Sequence, residues 1–261
     1  MPEVAELLCY PVKGCAATSV TRTTLTSTGL EHDRSFMVVS DEGVYRSQRR
    51  DPRLAVIRPA VGDGGERLTL EAPDAGTLEV RVDVRGPRRR VDLFGAASWG
   101  IDQGEAAARW LSELLGAHSR LVRVPLAGAF SYADSSALHA LSLSSLRLLN
   151  TKLATPLPLD RFRPNIVIDG WDEPHTEDRA RRVSVGETEL LYVKPAIRCA
   201  VTMIEQTSGT KAGPEPLRTL AGYRRTARGT IAFGVKFGVL KPGAIAVGDE
   251  VRVDVWGEPE P

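Results

Sequence analysis

The stretch Leu78-Glu79-Val80-Arg81-Val82-Asp83-Val84 alternates apolar and charged residues without a break. That period of two puts one face of a β-strand on a core and the other in water. Leu68-Thr69-Leu70 before it and Val91-Asp92-Leu93 after it repeat the pattern. Further out, residues 4–10 and 54–61 are apolar runs. Phe36-Met37-Val38-Val39 and Val44-Tyr45-Arg46-Ser47 flank Asp41-Glu42-Gly43, a hairpin turn with glycine where positive φ is easy. Many short strands separated by turn signals predict a small barrel or sandwich over the first part of the chain.

The pattern then changes. Asp102 and Glu105 have capping-box spacing, and Ala106, Trp110, Leu111, Leu114 and Leu115 follow at helical spacing up to Gly116. A second helix is expected over 143–153, with Leu146, Leu149 and Leu153 on one face and Ser142 as its N-cap. Strands are expected again at 165–168, 182–185, 189–193, 199–204 and 251–253. The predicted class is mainly β (α+β), two β-rich units with a few peripheral helices and a boundary near 95–125.

The chain has 261 residues, enough for one large domain or two small ones. It carries 34 Lys and Arg against 33 Asp and Glu, a net charge of +1. No whole-molecule field therefore draws it to nucleic acid or an anionic membrane. The run Arg88-Arg89-Arg90 reads as a solvated strand end. No segment approaches the ~20 apolar residues of a membrane helix, and the first residues do not resemble a secretion signal. Cys9, Cys15 and Cys199 are an odd count without CxxC spacing. That argues against a disulfide framework, a Cys-built zinc site or an iron–sulfur cluster, and suits a reducing cytoplasm. The four histidines form no HxxxH or HExxH, and no GxGxxG, GxxxxGK[ST] or GxSxG supports nucleotide binding or serine hydrolysis.

A few residues carry chemistry. Cys199 is a soft ligand for a soft metal, or a buried strand cysteine; in a strand Arg198 points to the opposite face. Arg163 precedes Pro164, so an extended backbone is expected, and alternation puts Arg163 and Asn165 on one face. A guanidinium suits bidentate contact with phosphate, but a salt-bridged Arg and a turn Asn fit equally. Lys13, between Pro11 and Gly14, offers a point charge to an anion or to solvent. Arg34 can serve an anion or pair with Asp33 or Asp41. Asp134-Ser135-Ser136 reads as a phosphate-cradling turn or a helix entry.

Five segments together resemble the MOSC family. Tyr10-Pro11-Val12-Lys13-Gly14-Cys15 and Gly29-Leu30-Glu31-His32-Asp33-Arg34-Ser35-Phe36 are similar to segments of its N-terminal β-barrel domain. Arg161-Phe162-Arg163-Pro164-Asn165-Ile166-Val167-Ile168, Arg198-Cys199 and Gly243-Ala244-Ile245-Ala246-Val247-Gly248-Asp249 are similar to segments of the MOSC domain. The order and spacing extend over nearly the full chain, and the pattern resembles the mitochondrial amidoxime-reducing components and their bacterial counterparts.

The resemblance implies an N-terminal β-barrel-like domain (1–95), a helical connector (96–124) and a MOSC β-barrel domain (125–257). It implies a molybdenum cofactor, molybdopterin with Mo, with Cys199 as catalytic residue and metal ligand. Lys13, Gly14, Arg34, Asp134, Ser135, Ser136, Arg163, Asn165 and Arg198 would then contact the cofactor. The implied activity is reduction of a small N-hydroxylated substrate, with electrons from a separate donor protein of ferredoxin, flavoprotein or cytochrome type. No nucleic acid or membrane partner is expected. The alternative is a sulfur carrier using a Cys199 persulfide. A pyridoxal phosphate association, through Lys194, has no ring-nitrogen partner motif beside it. Two departures stand out: Gly14 where the family often has Ser, and Ala196-Ile197 where relatives often have a polar residue.

Overall fold

The computed structural model describes residues 1–125, 131–133 and 136–259. They form mainly β-structure, as the alternation requires. The largest sheet has eight strands, in the order Val251–Trp256, Ala180–Val185, Thr188–Ile197, Ala232–Lys241, Leu138–Ser142, Ile166–Asp169, Glu3–Cys9 and Thr18–Val20. A five-stranded sheet runs Arg88–Leu93, Ala96–Asp102, Ser119–Arg123, Phe36–Ser40 and Val12–Lys13. Two three-stranded sheets and a two-stranded one, Ile204–Glu205 with Thr210–Lys211, complete the described set. The two main sheets keep free edges among the described residues, so the expected closed barrels are open sheets here.

Three helices are described: Glu105–Leu115, Leu143–Thr151 and Leu217–Ala221. The stretch 96–124, expected as a helical connector, holds its helix between two strands of the five-stranded sheet. Asp102 ends a strand rather than capping that helix. Its carboxylate accepts from the Gly104 amide at 2.8 Å and pairs with Arg120 and Arg89, and Gly104 is the cap residue. Residues 44–47 make only isolated bridges, Tyr45 to Val39 and Val44 to Asp92. Residues 199–203 are not a strand: Cys199 opens a 3-10 turn, Ala200–Met203, and only Ile204 begins the short strand Ile204–Glu205.

The order of the sheets matters for function. The chain begins in the large sheet, where Glu3–Cys9 pairs with Ile166–Asp169, and crosses at residues 10–15 into the five-stranded sheet. It returns to pair Arg22–Thr26 with Gly243–Ala246, then crosses again at residues 31–35. The two crossings lie side by side: Arg34 N–H donates to the Tyr10 carbonyl at 2.7 Å and Phe36 N–H to the Pro11 carbonyl at 2.9 Å. Separate apolar clusters anchor the two ends of each crossing. Val4, Leu7, Leu138, Ile166 and Phe237 pack in the large sheet, and Val12, Phe36, Leu54, Leu111 and Leu121 pack against the small one.

Ser142 caps Leu143–Thr151 as its position predicts, its Oγ accepting from the Ser145 N–H at 3.2 Å. The same hydroxyl donates to the buried Glu177 at 2.8 Å, and Ser145 Oγ donates to Glu177 at 2.8 Å. Replacing Ser142 by Ala removes a cap and leaves a buried carboxylate short of a donor. The expected cost is about 1–3 kcal/mol in a urea unfolding curve, and a loss below a few tenths would show that the cap is not used.

Candidate functional site

Where the crossings meet the large sheet, a cavity of about 200 Å³ opens to the surface. Lys13, Arg34, Arg163, Lys194, Arg198 and Lys236 contribute to its wall, together with Gly14, Tyr45, Gln48, His139 and Cys199, and among the described residues no carboxylate lines it. Six cations without an acid on one small wall are mutually repelling, so an anion is the ligand that relieves them.

Each cation reaches the wall by a specific local device. Lys13 is buried; its Nζ donates to the Tyr132 carbonyl at 2.7 Å and lies 5.3 Å from the Tyr45 ring centroid. Gly14 has φ +87, and a Cβ there would stand 3.1 Å from the Tyr45 hydroxyl. This packing explains glycine in place of the family's frequent serine. Arg34 and Arg163 both adopt positive φ, +49 and +55. Such backbone is costly for a branched-off side chain and persists where surroundings over-determine it. Both guanidinium groups lie over the Tyr10 ring, 4.5 and 4.3 Å from its centroid.

Arg34 pairs with Asp33, not Asp41, and donates to Asn165 Oδ1 at 3.0 Å. Burial works against its charge, but the Asp33 carboxylate outweighs it and holds the Arg34 pKa above the usual value. Arg163 has no such support. Burial pulls its pKa below the ordinary value, and the neighbouring Arg34 charge adds to this. Among the described residues its guanidinium contacts only the Tyr10 ring, so its N–H groups are available to a ligand.

Asn165 does not share a face with Arg163, because the left-handed turn at Arg163 interrupts the strand alternation. It is buried behind the wall. Its Oδ1 accepts from Arg34 and from the His139 N–H at 3.2 Å, and its Nδ2 donates to the Leu8 carbonyl at 3.1 Å and Asp33 at 3.2 Å. Its amide oxygen and nitrogen are both engaged inside the protein, and one of those bonds holds Arg34.

Cys199 follows the strand Thr188–Ile197 and is exposed on the cavity wall. Cys9 and Cys15 are buried, and burial raises both thiols, that of Cys15 to about 12. Of the three, only Cys199 is placed to react or to bind. Arg198, its neighbour, turns inward: Nη2 donates to the Phe162 carbonyl at 2.8 Å and Nη1 lies 3.3 Å from His139 Nε2. Ala196 is fully buried, which suits its small side chain, while Ile197 adds apolar surface to the wall. Of the turn 134–136, Asp134 and Ser135 lie outside the described residues; Ser136 is half-buried. Among the described residues no group of three His, Cys, Asp or Glu side chains converges on a metal. A single exposed cysteine sulfur beside an anion-seeking wall is the donor set among the described residues. It fits a metal carried on a phosphorylated organic ligand, which brings its other donors with it.

His139 and Lys236 had no motif to announce them. His139 is buried, and its ring joins two arginines. Because Arg198 can only donate, Nε2 is the acceptor, so Nδ1 carries the proton and donates to the Arg163 carbonyl at 3.3 Å. Burial, then the Arg198 and Lys236 charges, hold its pKa well below 6.5.

Residues 1–118 match the MOSC N-terminal beta barrel domain and residues 127–252 the MOSC domain. The chain belongs to the MOSC family. It is 34% identical over 280 residues to mitochondrial amidoxime-reducing component 1 of Homo sapiens, covering 95% of this chain and 82% of that protein. The Mus musculus protein of the same name is 33% identical over 278 residues, covering 95% and 81%. The molybdenum cofactor sulfurase of Danio rerio is 29% identical over 270 residues, covering 89% of this chain and 31% of that protein. Among the described residues of this MOSC protein, no helix is long and apolar enough to cross a membrane.

A buried neutral histidine gives a pH prediction. The unfolded imidazole takes a proton near pH 6.5 while the folded one does not, so stability from His139 is present above that pH and declines as the pH falls. The unfolding midpoint of His139→Gln should therefore depend less steeply on pH between 6.5 and 5 than that of the wild type. Parallel curves would refute the neutral assignment.

Proposed function

We propose that the cavity binds a phosphorylated molybdenum cofactor, molybdopterin with Mo, and that the protein is a molybdenum-dependent reductase of N-hydroxylated compounds. The observation that carries this reading is the exposed Cys199 thiol on a wall of six cations, of which only Arg34 is paired by a carboxylate that a described contact shows, Asp33 behind the wall. The family, and relatives named amidoxime-reducing components, support the same reading. When bound, the cofactor would supply the two-electron redox chemistry; the net change converts N–OH to N–H with two electrons and two protons and releases water.

The protein's part is binding and electrostatics. Arg163 offers planar paired donors to phosphate, the geometry that guanidinium serves best. Lys13, Lys194 and Lys236 add point charge around it. The Asp33–Arg34–Asn165 cluster fixes Arg34 from beneath, and His139 sets both the Arg163 backbone and the Arg198 side chain. Cys199 provides the protein's sulfur ligand, held at the cap of the short 3-10 turn that links the strands Thr188–Ile197 and Ile204–Glu205. Electrons come from a separate donor protein, and the cytoplasm is the compartment that the cysteine usage favours. The two-domain reading, 1–95 and 125–257 about a connector, places the cofactor at the seam between the units.

The sulfurase likeness favours one second reading, a sulfur carrier with a Cys199 persulfide. Protein purified from a host that makes the cofactor should contain molybdenum and pterin at close to one per chain. Cys199→Ala should lose the metal while keeping its circular dichroism spectrum and thermal midpoint. Molybdenum retained equally by the variant would overturn the ligand assignment, and metal-free protein whose Cys199 accepts sulfur from a desulfurase would favour the carrier.

A further inference from the structure

The tip of one hairpin is built against its own backbone preference. The strands Arg88–Leu93 and Ala96–Asp102 pair so that Leu93 faces Ala96, leaving a two-residue loop, Phe94-Gly95. Both have positive φ, +57 and +88. Loops of this kind favour Asn or Asp followed by Gly, and an aromatic residue in the first position is a conformational outlier. Phe94 is also 56% exposed, so no core burial compensates for it. Strain maintained at an exposed aromatic side chain is the kind of outlier from which a function can be argued.

Its surroundings say which function. The Phe94 ring meets Tyr45 edge-on, centroids 5.3 Å apart and planes at 87°. Arg49 lies over the Phe94 ring at 5.0 Å, and Lys13 Nζ is 5.9 Å from its centroid. Phe94, Tyr45, Val44, Arg49 and Arg50 line an open groove of about 520 Å³. Tyr45 is also on the wall of the cavity that holds Cys199. The groove thus continues the cavity outward past one shared aromatic ring. Arg49 and Arg50 are exposed, and among the described residues neither forms an ion pair. The groove's one carboxylate, Asp92, accepts from the Gly95 amide at 2.6 Å through Oδ1.

We propose that this groove is the substrate-recognition subsite and that it takes a planar aromatic or heteroaromatic compound carrying an anionic group. The flat ring lies against Phe94 and Tyr45, and the anion meets Arg49 and Arg50. This deepens the reductase reading and rests on it for the identity of the reacting end, the N–O group directed to the Cys199 cavity. Aromatic contact and guanidinium pairing are the interactions these side chains make best.

The test uses the cofactor-loaded protein with 4-carboxybenzamidoxime, benzamidoxime and acetamidoxime. Phe94→Asn should raise the KM for both aromatic compounds roughly fivefold to tenfold, the value of one lost aromatic contact. It should leave kcat and the aliphatic KM unchanged. The same variant should not lower the thermal midpoint, because Asn tolerates left-handed backbone; binding and stability then move independently, which a structural role alone does not produce. Arg49→Gln with Arg50→Gln should raise the KM of the carboxylate compound only. An unchanged KM for 4-carboxybenzamidoxime in Phe94→Asn overturns the proposal. If the wild type reduces none of the three, the reductase reading fails while the groove is still decided. Calorimetric titration of 4-carboxybenzamidoxime would then show weaker binding to Phe94→Asn than to wild type, or, if binding is equal or absent in both, refute the subsite.

Discussion

A buried carboxylate, Asp33, ties this molecule together at the place where it does chemistry. It accepts from the Tyr10 N–H at 2.8 Å, from Arg34 and from Asn165 Nδ2. Those three partners come from the first crossing, the second crossing and the strand entry of the MOSC half. A buried charge is costly unless it is paired and hydrogen-bonded. Asp33 has what it needs only when all three segments are in place, so satisfying one carboxylate fixes the seam between the sheets. Neutralising it without replacing its partners would strand the Arg34 charge, a loss that commonly reaches a few kcal/mol.

The cavity depends on that arrangement. With Arg34 committed to Asp33, charge from Arg163, Lys194, Lys236 and Lys13 remains around a wall that has no acid among the described residues. Aromatic faces make this tolerable: Tyr10 lies under two guanidinium groups, and Tyr45 and Phe94 lie near Lys13. Cation–π contact stabilises desolvated positive charge without cancelling it. The wall therefore stays attractive to a phosphate while its side chains remain ordered. Two of its arginines also sit on left-handed backbone, each braced by a neighbour: Arg34 by the hydrogen bond of its N–H to Tyr10, and Arg163 by the imidazole of His139.

Several elements were legible in the residues alone. Period-two alternation gave the strands, and Ser142 marked its helix start because a cap is a local interaction. The segments around Lys13, Arg34, Arg163 and Cys199 could be recognised as a set. Alternation puts Asn165 on one face with Arg163 because it assumes regular backbone, and Arg163, with positive φ, is not regular. Cys199 was placed in a strand because the apolar pattern after it does not reveal the 3-10 turn. His139 and Phe94 gave no sequence signal: a lone histidine in an apolar strand reads as core, and a Phe-Gly pair reads as an ordinary hairpin tip.

The sequence by itself determined the fold class, the family, and which cysteine and which cations belong to the family-like segments, since these rest on local pattern and residue type. Only the tertiary structure decided which of those groups face the cavity and which lie behind it. Two chain crossings and two left-handed turns set that direction, and they are held by contacts between residues distant in sequence: Arg163 with His139 across 24 positions, Lys13 with Tyr132 across 119 and Arg34 with Asn165 across 131. Periodicity carries no information across such distances, because a side chain's direction follows from the backbone only while the backbone stays regular.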